Sequence, residues 1–203
     1  MLKHILFTCF FFFTAIPLLK AQGCGNDEKY HLPYKNTYVK EPLVAENEYR
    51  IAKPETVEPK SFEEARQILP NPIWAGHEKE LEMYWRAWEI AVGNIRAPQQ
   101  GSGFVSSYLD TAYNGNIFMW DSSFILMFAR YGTRFFPFQR TLDNFYAKQH
   151  PDGFICREIK ADGADCFERY DPVSTGPNLM PWCEMVYYYQ FGDTERLHKI
   201  FPV

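Results

Sequence analysis

From residue 61 onward, apolar and polar positions in this chain of 203 residues follow a helical rhythm, and no alternating strand pattern competes with it. The clearest stretch is 77–96, where Leu81, Tyr84, Trp85, Trp88, Val92 and Ile95 recur at helical spacing and Pro98 follows as a stop. Before it, Ser61-Phe62-Glu63-Glu64 forms a capping box that opens a short helix ending at Pro70. Asp121, with Ser122 and Ser123 behind it, starts a helix that is apolar on nearly every side and closed by Gly132. Phe138, Leu142, Phe145 and Gln149 mark a one-faced helix over 137–150, followed by a Pro151-Asp152-Gly153 turn and a short strand over 154–159. A long loop, 160–178, leads to a helix over 179–191 with Leu179, Trp182, Cys183, Val186 and Tyr187 on one face and Pro181 in its first turn. Gly192 stops it. Asp193 caps a last helix whose apolar stripe is still forming at Val203, so the chain reads as the truncated start of a larger domain.

Helices apolar all round thus alternate with helices apolar on one face. That alternation predicts an all-α fold with an inner helical layer wrapped by an outer one, and a toroid, a bundle or a solenoid would each satisfy it. The irregular stretch 99–116 offers Tyr108, Asp110 and Tyr113 as loop contributors to a site. Trp88 and Trp182 sit on apolar helical faces and are assigned to the core.

The first sixty residues follow different rules. Lys3 and His4 precede a greasy run from Ile5 to Leu19, and Ala21 offers a small residue for cleavage, so 1–21 reads as an export signal. The run is too short, and too soon broken by Pro17 and Lys20, to span a membrane. Ala21-Gln22-Gly23-Cys24 loosely resembles a lipobox, which leaves lipid attachment at Cys24 as an alternative to free export, periplasmic or secreted. Residues 22–60 are polar and proline-rich and read as an extended arm or linker.

Composition narrows the function. At 46% hydrophobic the chain can pack a core, and its 18% aromatic content exceeds what a core of this size needs. A net charge of −4 without any Lys/Arg cluster argues against nucleic acid. No Cys/His spacing suggests zinc, so neither metal nor cofactor is expected. Cys156 and Cys166 flank a Gly- and Asp-containing loop and are candidates for a disulfide in an exported protein, whereas Cys183 reads as a small buried hydrophobe.

The chemistry gathers at Trp120-Asp121. A carboxylate beside so greasy a helix must be paired or solvated. As an ordinary helix start, Asp121 accepts backbone N–H bonds. As a site residue it accepts sugar hydroxyls while Trp120 offers a flat face for C–H bonds.

Phe118-Met119-Trp120-Asp121-Ser122-Ser123-Phe124 resembles the (F/Y)-x-W-D-S-x-(F/W) signature of six-hairpin glycosidases, the (α/α)6 toroids. It is most similar to the trehalase, α-glucosidase I and mannosylglycerate-hydrolase branch. Gln149-His150-Pro151-Asp152-Gly153-Phe154-Ile155-Cys156-Arg157 resembles the Q-x-x-D-G-x-(I/V)-P-x stretch that comes next in those enzymes. Gly176-Pro177-Asn178-Leu179-Met180-Pro181-Trp182, with Tyr188 and Phe191-Gly192-Asp193 beyond it, resembles their S/T-Q-P-P-x-L-A-W…Y…T-G-D segment. Tyr84-Trp85-Arg86-Ala87-Trp88 falls where their first barrel helix is expected. Two positions depart from the pattern: Gly176 (or Thr175) stands where relatives carry a sugar-touching glutamine, and Cys156 replaces a proline.

The resemblance implies that 61–203 forms the first hairpins of an (α/α)6 toroid in an exported, inverting glycoside hydrolase acting on oligosaccharides. Trp120 and Asp121 would bind the sugar at the cleavage point, with Gln149 and Arg157 as candidates for neighbouring hydroxyls. Such enzymes oppose an acid and a base about 6.5–9.5 Å apart. Both are expected beyond Val203, so the present residues would carry the sugar-gripping half of the site and, alone, bind sugar weakly and hydrolyse nothing. Asp165, Glu168 and Asp171 read as a solvated acidic loop. The alternatives are a non-catalytic carbohydrate-binding toroid and an aromatic-rich helical scaffold or cyclase, the last lacking any D-x-D-D or D-D-x-x-D initiator. The sugar, its linkage and the oligomeric state are left open.

Overall fold

In the computed structural model, residues 40–58, 60–169, 171, 176 and 178–203 are described. The export signal, Cys24 and the first part of the arm lie outside them. The described part is mostly helical, with six α-helices and four strands of two residues each. No helix among the described residues is long and apolar enough to cross a membrane.

The described part of the arm has a turn over 41–44, closed by the Val44 N–H on the Glu41 carbonyl, and a 3-10 turn, Glu48–Ile51. α1, Phe62–Ile68, opens on the expected capping box: Ser61 accepts from the Glu64 N–H, and the Glu64 side chain accepts from that of Ser61. α2, Glu78–Gly93, stops sooner than its apolar stripe predicts. Asn94 caps it, its N–H reaching the Ala91 carbonyl, and the chain turns straight into β1, Ile95–Arg96, antiparallel to β2, Tyr108–Leu109. The stretch read as an irregular surface loop is therefore core. Every residue from Phe104 to Asp110 is buried, with Asn144 accepting from the Val105 and Ser106 N–H groups.

β3, Ile117–Phe118, pairs antiparallel with β4, Glu158–Ile159, and runs directly into α3, Met119–Ala129. A 3-10 turn, Phe138–Arg140, leads into α4, Thr141–Ala147. One-faced burial was expected there, but Thr141 through Tyr146 are all buried, because the arm covers the side the core leaves open. Asn47 donates to the Tyr146 carbonyl at 2.8 Å, Tyr49 packs its ring on Tyr146, and Glu55 pairs with Arg140. α5, Met180–Phe191, ends on Gly192 in the left-handed region at φ 66°, and Asp193 caps α6, Thr194–Ile200, as predicted.

Trp88, 2% exposed, anchors the core against Phe128 and Phe138. Gly132 is tied to that ring, since a Cβ there would sit 2.8 Å from it. Trp182 does not join the core. It is 45% exposed, meeting Phe124 at 5.8 Å between centroids, because the inward face of α5 is taken by Met180, Cys183 and Glu184.

The predicted Cys156–Cys166 bridge is absent. Cys156 is a free, buried thiol that donates to the Glu158 carbonyl, while Cys166 is disulfide-bonded elsewhere. Flanking the same turn did not make them partners, because β4 turns the Cys156 sulfur inward.

Candidate functional site

The three motif segments, far apart in sequence, meet at the starts of α3 and α5. The Met119 N–H donates to the Arg157 carbonyl at 2.8 Å, joining the first residue of α3 to the strand that follows the Asp152-Gly153 turn. That turn is built locally: Asp152 accepts from the Phe154 N–H, and Gly153 adopts φ 88°. Gly176 lies directly over Arg157, where a Cβ would come within 2.7 Å of the Arg157 Cβ. The glycine that replaces the glutamine of the resembled motif is thus required by the close approach of Arg157.

A cavity of about 740 Å³ opens at this junction, lined by Met119, Phe154, Arg157, Gly176, Met180 and Glu184 among others. Arg157 lays its guanidinium 4.0 Å from the centroid of the Phe167 ring. Arg169 also reaches the cavity and is ion-paired to Asp152.

Trp120 and Asp121 flank this cavity without lining it. Both sit in the first turn of α3 and face solvent, Trp120 at 51% exposure. Asp121 does not cap the helix, which begins two residues earlier at Met119 with Phe118 in the cap position. It meets the demand on a carboxylate beside an apolar helix by solvation. Trp120 packs against Phe124 at 5.0 Å, and Phe124 against Trp182, giving an open aromatic ridge. Ser122 and Ser123 turn inward and are fully buried, the latter donating to the Met119 carbonyl.

Other predicted residues are placed differently. Gln149 is buried and spends its amide inside the protein, accepting from Asn47 and donating to the Val203 carbonyl. Tyr108 is buried with its hydroxyl on the Gly115 carbonyl, and burial pushes its pKa to about 12. Asp110 is buried, accepting from the Ala112 and Gly115 N–H groups. Of these three candidates only Tyr113 is exposed, at φ 60°. Asp165, assigned to solvent, is bonded to the His150 ring at 2.5 Å.

Sequence reasoning missed the charge cluster behind the cavity. Arg196 of α6 donates to Asp143 at 2.8 Å and to both oxygens of Glu184, at 2.6 and 2.8 Å. Glu184 also accepts from Tyr146 and Gln139, and Asp143 accepts from Arg140. Burial works to lower the Arg196 pKa, but Asp143 and Glu184 together raise it well above the ordinary value. Burial raises Tyr146, with the Glu184 charge adding to it. With four donors on Glu184 and its charge matched, this cluster is built to hold helices together, not to move protons. Its one sequence signal was Glu184 itself, a carboxylate within an otherwise apolar helix. Among the described residues no three His, Cys, Asp or Glu are gathered as a metal ion would require.

No family model, no curated protein and no solved structure matches the chain.

Proposed function

We propose that this chain is the sugar-binding part of an exported, inverting glycoside hydrolase of the six-hairpin, (α/α)6 type, acting on oligosaccharides. The observation that carries the reading is the convergence of the three resembled segments on one junction, where the start of α3, the 153–157 segment and the start of α5 surround the cavity. In this reading Trp120 supplies an open stacking face, Asp121 accepts sugar hydroxyls, and Arg157 contacts the neighbouring unit. Gln149 is withdrawn from sugar contact and ties the arm to the end of α6 through Asn47 and Val203. In this reading the residues named here hold the sugar, and none of them is assigned as general acid or base.

The open setting of Trp120 and Asp121 favours a second reading, a non-catalytic carbohydrate-binding protein, since an aromatic ridge on a surface grips sugar without excluding water.

Ligand-observed NMR against a panel of neutral oligosaccharides tests the shared part of both readings. Binding should appear with the native chain and fall at least about tenfold in Trp120→Ala and Asp121→Ala, with the thermal midpoint unchanged because both side chains are exposed. Unaltered binding in both variants would remove the site. Reducing-sugar release by a protein that continues past Val203, with inversion at the anomeric carbon, separates hydrolase from binder.

A further inference from the structure

We infer that the disulfide partner of Cys166 is Cys24, a bridge that takes the one thiol a lipid anchor would need and leaves the exported protein unlipidated there. The choice of Cys24 rests on the export reading above. That Cys166 is joined to the N-terminal part of the chain does not.

The cysteines of the chain are Cys9, Cys24, Cys156, Cys166 and Cys183. Cys166 is disulfide-bonded, whereas Cys156 and Cys183 are free thiols. The partner is therefore Cys9 or Cys24, both outside the described residues. Cleavage after Ala21 removes Cys9 and leaves Cys24 beside the new N-terminus. The two free thiols are enclosed, and burial pushes Cys156 up to about 11 and Cys183 up to about 12. Cys166 is only half-buried, with its N–H held by the Glu158 carbonyl.

The arm enters the described structure on the side where Cys166 lies. The Glu41 N–H donates to the Pro151 carbonyl at 3.1 Å, and Val44 packs against Gly153, where a Cβ would stand 3.1 Å from it. The loop of Cys166 is tied to the same turn. Asp165 is bonded to the His150 ring, and Arg169 is paired with Asp152. One turn, 150–153, thus anchors both the start of the described arm and the loop that carries the bridge. At about 3.3 Å per residue, the stretch from Glu41 back to Cys24 spans up to about 55 Å, so reach sets no limit.

The bond forms by exchange with a disulfide oxidant of the export compartment. The Cys24 thiolate attacks that disulfide, breaking its S–S bond and making a mixed disulfide. The Cys166 thiolate then attacks the Cys24 sulfur and expels the second oxidant thiolate. Two electrons reduce the oxidant to a dithiol, which takes up the two protons the cysteines lose. A lipid anchor would be carried on the same Cys24 sulfur as a thioether, so bridge and anchor exclude each other.

Peptide mapping of the full chain, exported from a bacterial host, tests this. The protein is alkylated with iodoacetamide in urea without reductant and digested with trypsin. Cleavage after Lys29, Lys160 and Arg169 places Cys24 and Cys166 on peptides 22–29 and 161–169, apart from Cys156 and Cys183. The two peptides should appear joined, short of two hydrogens, and should separate with dithiothreitol. The N-terminus should be Gln22, and the protein should stay in the aqueous phase of a detergent partition. In Cys24→Ser, peptide 161–169 should carry an alkyl group instead. Alkylation of both cysteines in the native chain, a bond from Cys166 to Cys156, Cys183 or a second copy, or diacylglycerol on Cys24 overturns the bridge. A bond to Cys9 in a chain that keeps residues 1–21 overturns the assignment and the export reading together. Retention of 1–21 with Cys24 and Cys166 joined removes only the cleavage and upholds the bridge.

Discussion

The Arg196 side chain is the residue on which most of the described molecule's buried charge depends. It is 11% exposed and faces two carboxylates at 5% and 2% exposure, so removing it leaves Glu184 without its cation and Asp143 with Arg140 alone. Arg196→Met is expected to cost about 3–5 kcal/mol, read as a shifted urea midpoint with an unchanged slope. Glu184→Gln keeps the shape and one acceptor oxygen and should cost less. Cys156 is the opposite kind of residue, inert because it is enclosed. Burial pushes its thiol up to about 11, helped by the Asp165 charge, so the neutral form persists at ordinary pH. Iodoacetamide at pH about 8 should leave Cys156 untouched in the native chain and label it rapidly in urea. Neither role was visible beforehand. Cys156 looked like half of a local bridge because pairing was judged from spacing, and Arg196 gave no signal because its partners are supplied by other helices.

At the level of elements, what could be read in advance was what is decided within a few residues. The Ser61–Glu64 box, the Gly192 stop and the Asp193 cap were legible because each is made by neighbouring atoms. Of the four short strands only β4 lies within a predicted one, at the end of 154–159; the others were not legible, since two residues carry no period and their pairing joins segments up to 42 residues apart. The same limit hid the burial of 104–110 and the exposure of Trp182: hydrophobic spacing marks a face without naming what covers it. The site shows this division most sharply. Its motifs could be recognised singly, but the cavity between them, and the outward setting of Trp120 and Asp121, depend on how α3 and α5 pack. Packing between loops brings its own constraint at Gly163, which combines φ 84° with a carbonyl, that of Ser102, where a Cβ would have to stand. Gly163→Ala should therefore cost about 2 kcal/mol or more and loosen the contact between the 99–103 and 160–165 loops. Faster amide exchange confined to those loops would be the local sign of it.

Across the whole molecule, burial of phenols sets the alkaline limit. Tyr108 is held at about 12, and Tyr49 and Tyr146 are raised as well, each by burial first. The unfolded chain ionises near the ordinary tyrosine value of about 10 while the folded chain holds its protons, so folding stability declines as pH rises from about 10 to about 12. Phenolate absorbance and loss of circular dichroism should then rise together in an alkaline titration. If these tyrosines ionised near 10 with the fold intact, their enclosure would be misjudged. Their enclosure owes much to the arm, and the arm has a further consequence. Asn47 finds its acceptors on Tyr146 and Gln149, 99 and 102 residues downstream. During vectorial synthesis the arm emerges early and has nothing to clasp until the polypeptide around residue 150 follows it. The portion made first is thereby the last to settle, and until then it stays open to whatever machinery handles the nascent protein.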